Sequence, residues 1–191
     1  MSWDESGPDA RARLLQVARN SVAHGLREGR ALPVAIEDCE PGLRERGACF
    51  VTLRRGATLR GCTGSLKAVE PLVVDVANNA YGSAFRDPRF PPLETAELAG
   101  LSFQISILNP IEPLPVTSEL DLLAQLRPGV DGLVLHEGSR SSTFLPAVWQ
   151  SLPEPRRFVA ELKRKAGLDG DHWSDRLRFE RYTVEEVGEA D

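Results

Sequence analysis

Leu14, Ala18, Val22 and Leu26 recur at helical spacing and predict an amphipathic first helix. Ser6 and Asp9 stand at capping-box-like spacing before it, Pro8 suits its first turn, and Gly29 suits its end. A loop-like stretch with Pro33, Pro41 and Gly42 follows. The run ACFVTLRRGATLRGCTGSL then reads as a β-hairpin: β-prone positions lie on either side of Gly56, which marks the turn. Pro71 opens a second helix with a broad apolar face of Leu72, Val73, Val76, Ala77, Ala80 and Ala84. Prolines 88, 91 and 92 forbid its continuation.

The second half alternates in the same manner. Leu101, Phe103, Ile105 and Ile107 mark a strand that Pro110 ends. Ser118 and Asp121 cap a short helix carrying Leu122, Leu123 and Leu126. GVDGLVLHEGSRSSTFLP is a second hairpin, turning at Gly138 and Ser139. Pro146 opens a short turn with Trp149 on its buried side, and Pro155 opens a last helix whose end, Lys163 to Lys165 before Gly167, suits the negative pole of the helix dipole. LRFERYTVEEV closes the chain as one alternating strand. Hairpins interspersed with helices predict an α+β fold with a largely antiparallel sheet flanked by helices.

Composition narrows what such a fold can do. The 191 residues carry a net charge of −5, which repels phosphate backbones, so no nucleic-acid partner is expected. No apolar run approaches the roughly 20 residues that cross a bilayer, and the acidic, polar start lacks the apolar centre of a signal peptide. No membrane contact and a cytoplasmic location are the expectation. Cys39, Cys49 and Cys62 form an odd set without a CxxC pair and read as three free thiols. No spacing matches a metal motif or a phosphate-cradling loop, so neither metal nor cofactor is expected.

Three groups of residues carry candidate chemistry. In TLRGCTGSL, alternation puts Arg60 and Cys62 on one face of a strand, with Arg54 and Arg55 on the other side of the turn. Positive charge and the backbone N–H groups near Gly64 and Ser65 favour a thiolate, and Gly61 and Gly64 let a substrate approach the backbone. Cys62 is then a nucleophile aided by Arg60, or else a small apolar filler at a tight turn. In FRDPRFPPL, Asp87 either orients Arg86 or Arg89 toward an anionic group or forms an Asp–Arg pair at a helix exit that Phe90 plugs. His136, at the end of a strand, is the histidine best placed to act as a base; His24 and His172 read as helix-boundary and loop residues.

Taken together, LRGCTGSL, DPRFPPL, DGLVL, TFLPAVW and KAGL, in this order, resemble the AMMECR domain family, whose bacterial and archaeal members are called AmmeMemoRadiSam system protein A. The LRGC-x-G signature matches at Leu59, Arg60, Gly61, Cys62 and Gly64, with Thr63 where isoleucine is common. Leu162 and Lys163 occupy a region that often holds a cysteine in the family. The resemblance spans residues 10–186 and implies one domain, with two lobes and a cleft near the signature, between flexible ends at 1–9 and 187–191. It also implies two partners: a Memo-like protein related to extradiol dioxygenases, and a radical S-adenosylmethionine protein. It assigns no reaction. A pocket-bearing enzyme centred on Cys62, with Asp87 and Arg89 as its wall, and a non-catalytic adaptor both remain open.

Overall fold

A computed structural model describes residues 7–189. Helix α1 runs from Gly7 to Glu28, with Leu14, Ala18 and Val22 fully buried. Its stop is the expected one: Gly29 takes a positive φ, and its N–H donates to the Gly25 carbonyl. Ser6, the expected cap, lies outside the described residues. The stretch read as loop contains a 3-10 turn at Ile36–Asp38 and a one-turn helix, α2, at Pro41–Arg44.

The expected hairpin forms from β1 (Cys49–Arg55) and β2 (Thr58–Gly64), paired antiparallel. Its turn requires the left-handed backbone that Gly56 adopts, with φ at +56°. Helix α3 (Leu72–Phe85) follows, then β3 (Leu101–Leu108), β4 (Glu112–Pro113), α4 (Glu119–Gln125), β5 (Gly132–Glu137), β6 (Arg140–Phe144), α5 (Pro155–Lys165), β7 (Arg178–Tyr182) and β8 (Val184–Gly188). The fold is α+β, with two antiparallel four-stranded sheets, β2-β1-β3-β8 and β4-β7-β5-β6.

The chain divides into two compact units. Residues up to Leu108, with those from Glu185 onward, make the first, and Asn109–Val184 make the second. In the first, α1 and α3 pack on the sheet face that presents Val51, Leu53, Phe103 and Ile105. The second is built around Leu122, Leu133, Leu135, Phe158 and Phe179. Trp149 stacks on Phe158 with ring centroids 3.8 Å apart and donates its indole N–H to the Asp131 carbonyl. A buried indole with a satisfied N–H is the anchor that was expected there.

Three sequence expectations change. LRFERYTVEEV is two strands in two sheets, not one. Arg178–Tyr182 pairs with β5 and β4, whereas Val184–Gly188 joins β3. Thr183 links them, its carbonyl and hydroxyl both accepting from Asn109. The apolar positions slip phase before Thr183, from Leu177 and Phe179 to Tyr182 and Val184, a break that the single-strand reading passed over. Residues 187 and 188 belong to β8, and the Glu189 N–H donates to the Phe103 carbonyl, so ordered structure extends past residue 186. Lys163 likewise does not serve the end of α5. It is fully buried, with its ammonium 3.2 Å from Glu119 Oε2 and 5.5 Å from the Trp173 ring centre. A carboxylate and an aromatic face together replace the water that the ammonium gives up.

Candidate functional site

Strand β2 is an edge strand, so its outer N–H and C=O groups need partners other than a neighbouring strand. The arm leaving α3 supplies them. Asp87 Oδ2 accepts the Cys62 N–H at 2.9 Å, and Arg89 Nη2 donates to the Cys62 carbonyl at 3.4 Å. Arg89 in turn binds both carboxylate oxygens of Asp87, at 3.0 and 2.7 Å. One ion pair thus caps the strand edge at the cysteine. The Arg89 guanidinium, and then the Cys62 N–H, hold the Asp87 carboxyl down at about 2, so it is an anion at neutral pH. Asp87 and Arg89 therefore meet Cys62 as sequence suggested, but through its peptide group.

The thiol of Cys62 is half-buried, whereas Cys39 and Cys49 are buried. Thr52 lies directly opposite on β1, and its hydroxyl donates to Cys62 Sγ at 3.3 Å. Burial, reinforced by the Asp75 carboxylate, pushes the Cys49 thiol well above its ordinary value and leaves it inert.

Arg60 does not take the role that alternation suggested. The pairing shifts between Leu53 and Arg54, which face Gly61 and Leu59, so Arg60 is the unpaired residue of a β-bulge. A bulge breaks the two-residue period that would place Arg60 beside Cys62. Instead its guanidinium donates to both oxygens of Glu97, at 2.7 and 3.0 Å, and to the Pro91 carbonyl at 3.1 Å. Glu97, held by Arg60 and then by the Glu94 N–H, is driven down to about 2. Arg60 is also raised, first by the Glu97 hydrogen bond. The pair fastens the proline arm to β2, and Arg60 and Arg89 both lie by the Phe90 ring, at 5.9 and 5.5 Å.

The glycines have a packing explanation as well. A Cβ on Gly61 would sit 2.0 Å from the Ser83 carbonyl oxygen, so α3 approaches β2 only because that side chain is missing. A Cβ on Gly64 would meet the Phe50 ring at 2.3 Å. At Gly61 the missing side chain makes room for α3 and not for a ligand, whereas Gly64, exposed on its other side, lines the cavity beside Ser65. Ser83 Oγ bridges the hairpin, donating to the Val51 carbonyl and accepting the Thr63 N–H.

Ser65 belongs to a neighbouring cluster. Its hydroxyl donates to Asp75 Oδ1 at 2.7 Å and its N–H to the Cys49 carbonyl. Asp75 also accepts from the Cys49 N–H and from Asn79. Burial raises the Asp75 carboxyl above its ordinary value. An open cavity of about 520 Å³ lies over Ser65 and Asp75, bounded by Leu66 and Val69.

His136 lies in the second unit, with Nε2 3.0 Å from Glu180 Oε2. His172 pairs with Glu137 at 2.9 Å, and His24 Nε2 is buried without a partner among the described residues. Among those residues no three His, Cys, Asp or Glu side chains gather as a metal site would require. Among the described residues no helix is long and apolar enough to cross a membrane. Sequence reasoning missed Thr52 and Glu97. The hairpin register set by Gly56 points to the first; for the second, the only local signal is the Glu94–Glu97 capping box.

The AMMECR1 family model matches residues 15–187. A protein from Methanothermobacter thermautotrophicus is 34% identical over 180 residues, which cover 92% of this chain and 91% of that one. One from Thermococcus gammatolerans is 34% identical over 90% of this chain and 86% of its own. The crystal structure of the uncharacterized protein PH0010 from Pyrococcus horikoshii superposes with a TM-score of 0.86 at 32% identity, covering 93% of this chain and 90% of that chain.

Proposed function

The chain belongs to the AMMECR1 family, and from that premise we propose that it acts as a component of an AmmeMemoRadiSam-type system, through a site centred on the Cys62 thiol. The site would bind an unidentified small molecule or a modified substrate covalently or as a thiolate contact, in concert with a Memo-like protein and a radical S-adenosylmethionine protein. One observation carries this reading. Cys62 is the only one of the three cysteines that is not buried, and its sulfur accepts from the Thr52 hydroxyl at 3.3 Å while the Arg89 guanidinium lies beside its own peptide. A hydroxyl donor and a nearby positive charge are the neighbours that an anionic sulfur takes. Iodoacetamide labelling at pH 7.5, followed by peptide mass spectrometry, tests it. Cys62 labels well ahead of Cys39 and Cys49; labelling no faster than theirs overturns the reading.

A second reading, a non-catalytic adaptor, draws support from the state of the bases nearby. Asp87 is an anion fully engaged with Arg89 and the Cys62 N–H, and the first unit's only histidine, His24, lies on α1. A thiol whose neighbouring carboxylate is already committed suits binding better than acyl transfer. Purified Memo-like and radical S-adenosylmethionine partners decide between the two. An adaptor retains their binding in Cys62→Ser, and a thiol-dependent complex loses it.

A further inference from the structure

The second unit holds a cavity of about 480 Å³ that the Cys62 reading does not use. Its floor is apolar, made by Leu114, Leu177 and Phe179, all nearly buried within that unit's core. Its rim is stiff. Pro113 and Pro115 cannot donate to a sheet ladder, so β4 ends after two residues. The Leu114 N–H to the Phe179 carbonyl is the last tie before the chain turns away with Val116. The third side is polar: His136 from β5, with Arg178 and Glu180 from β7. His136 sits opposite Arg178 in register, and its ring reaches across to Glu180. Volume, apolar lining and a few convergent polar groups are those of a small-molecule pocket.

The charges on the polar wall select the ligand. His136 and Glu180 close on each other. Arg178 Nη1 is pinned to the carbonyls of Asp175 and Leu177, at 2.7 and 2.8 Å, while its Nε and Nη2 meet no acceptor among the described residues. Glu180 spends one oxygen on His136, so the donors left open at the mouth are those of the Arg178 guanidinium, held on one edge and open on the other. We propose that this cavity binds a flat apolar or aromatic acid, its body on Leu114, Phe179 and the prolines, its anionic head on Arg178. This site is separate from the Cys62 thiol, so each proposal stands or falls without the other.

Two probes with nearly the same rings test it: 1-anilinonaphthalene-8-sulfonate, an anion, and N-phenyl-1-naphthylamine, its uncharged counterpart. Fluorescence titration of the full chain gives one equivalent of each, with the anion bound more tightly. Arg178→Gln weakens the anionic probe roughly tenfold, the size of a lost charge-assisted hydrogen bond, and leaves the neutral probe within about twofold. Val116→Trp fills the cavity and removes both, with circular dichroism and thermal melting confirming that each variant is folded. If Arg178→Gln leaves the anionic probe unchanged, the ligand is not an acid. If folded Val116→Trp still binds both probes at one equivalent, or if Val116→Trp does not fold and Leu114→Trp, a second filling variant, binds them, the cavity is not the site.

Discussion

Replacing Asp87 with asparagine keeps the side chain's volume and one acceptor for the Cys62 N–H, but removes the charge that binds Arg89. The carboxyl is drawn from its ordinary 3.8 to about 2 in the folded protein. At 1.36 kcal/mol per pH unit that fall is worth about 2.5 kcal/mol. The Arg89 side chain is 55% exposed, and solvent screening brings the figure to about 2 kcal/mol. The sign follows from the direction of the shift. A depressed carboxyl stabilises the fold fully above its unfolded value near 3.8, and the stabilisation is lost as the pH falls from there through about 2. Urea unfolding of wild type and Asp87→Asn should therefore differ by about 2 kcal/mol at pH 7, by about half of that near pH 3, and by little at pH 2. Other carboxylates titrate in the same window, but they do so in both proteins and cancel in the difference. A difference that is below about 0.5 kcal/mol at pH 7, or that does not shrink on acidification, refutes the edge-capping role of the ion pair.

Gly61→Ala forces a methyl group against the Ser83 carbonyl and should cost about 3 kcal/mol or abolish folding; a thermal melt within a degree or two of wild type contradicts the close approach. Glu97→Gln should lose about 2 kcal/mol at pH 7, less as the pH falls below the ordinary 4.5 toward about 2, while the iodoacetamide rate at Cys62 stays within about twofold; a large change in that rate would return Arg60 to the thiol's surroundings. Thr52→Val removes the hydroxyl donor and should slow Cys62 labelling roughly threefold at pH 7.5, with little change in melting temperature; an unchanged rate shows that the hydroxyl does not act on the sulfur.

The hydrophobic pattern located the helices and strands well wherever one face of an element is buried in a single core. Val51, Leu53, Phe103 and Ile105 alternate because one sheet face meets α1 and α3. The same logic misses a strand that changes sheets, because Phe179 and Val187 are buried in different cores and apolarity alone does not say which. At the site, the Asp87–Arg89 pair was readable because the two lie two residues apart on a proline-stiffened segment. Arg60 was misread because a bulge is one extra residue, and one extra residue inverts every facing assignment beyond it. Its true partner, Glu97, lies 37 residues away, beyond any local pattern.

The signature strand and the proline arm act as one device, and that accounts for residues in both. β2 is an edge strand ending in a loop, a position where an unpaired N–H and C=O invite pairing with another chain. A further strand would cover that edge, but it would also crowd the face on which Cys62 and Thr52 lie. A carboxylate and a guanidinium satisfy the same two backbone groups without adding a strand, and they hold the Cys62 peptide fixed from the side. That geometry requires a stiff arm, and Pro88, Pro91 and Pro92 provide it. It requires the arm to be fastened, and Arg60, bulged out of register, fastens it through Pro91 and Glu97. It also requires α3 to deliver the arm close to β2, which only a glycine at position 61 allows. Arginine and glycine at 60 and 61 thus have two separate physical tasks, namely fastening and close approach, and only the proposed chemistry is left to the sulfur at 62.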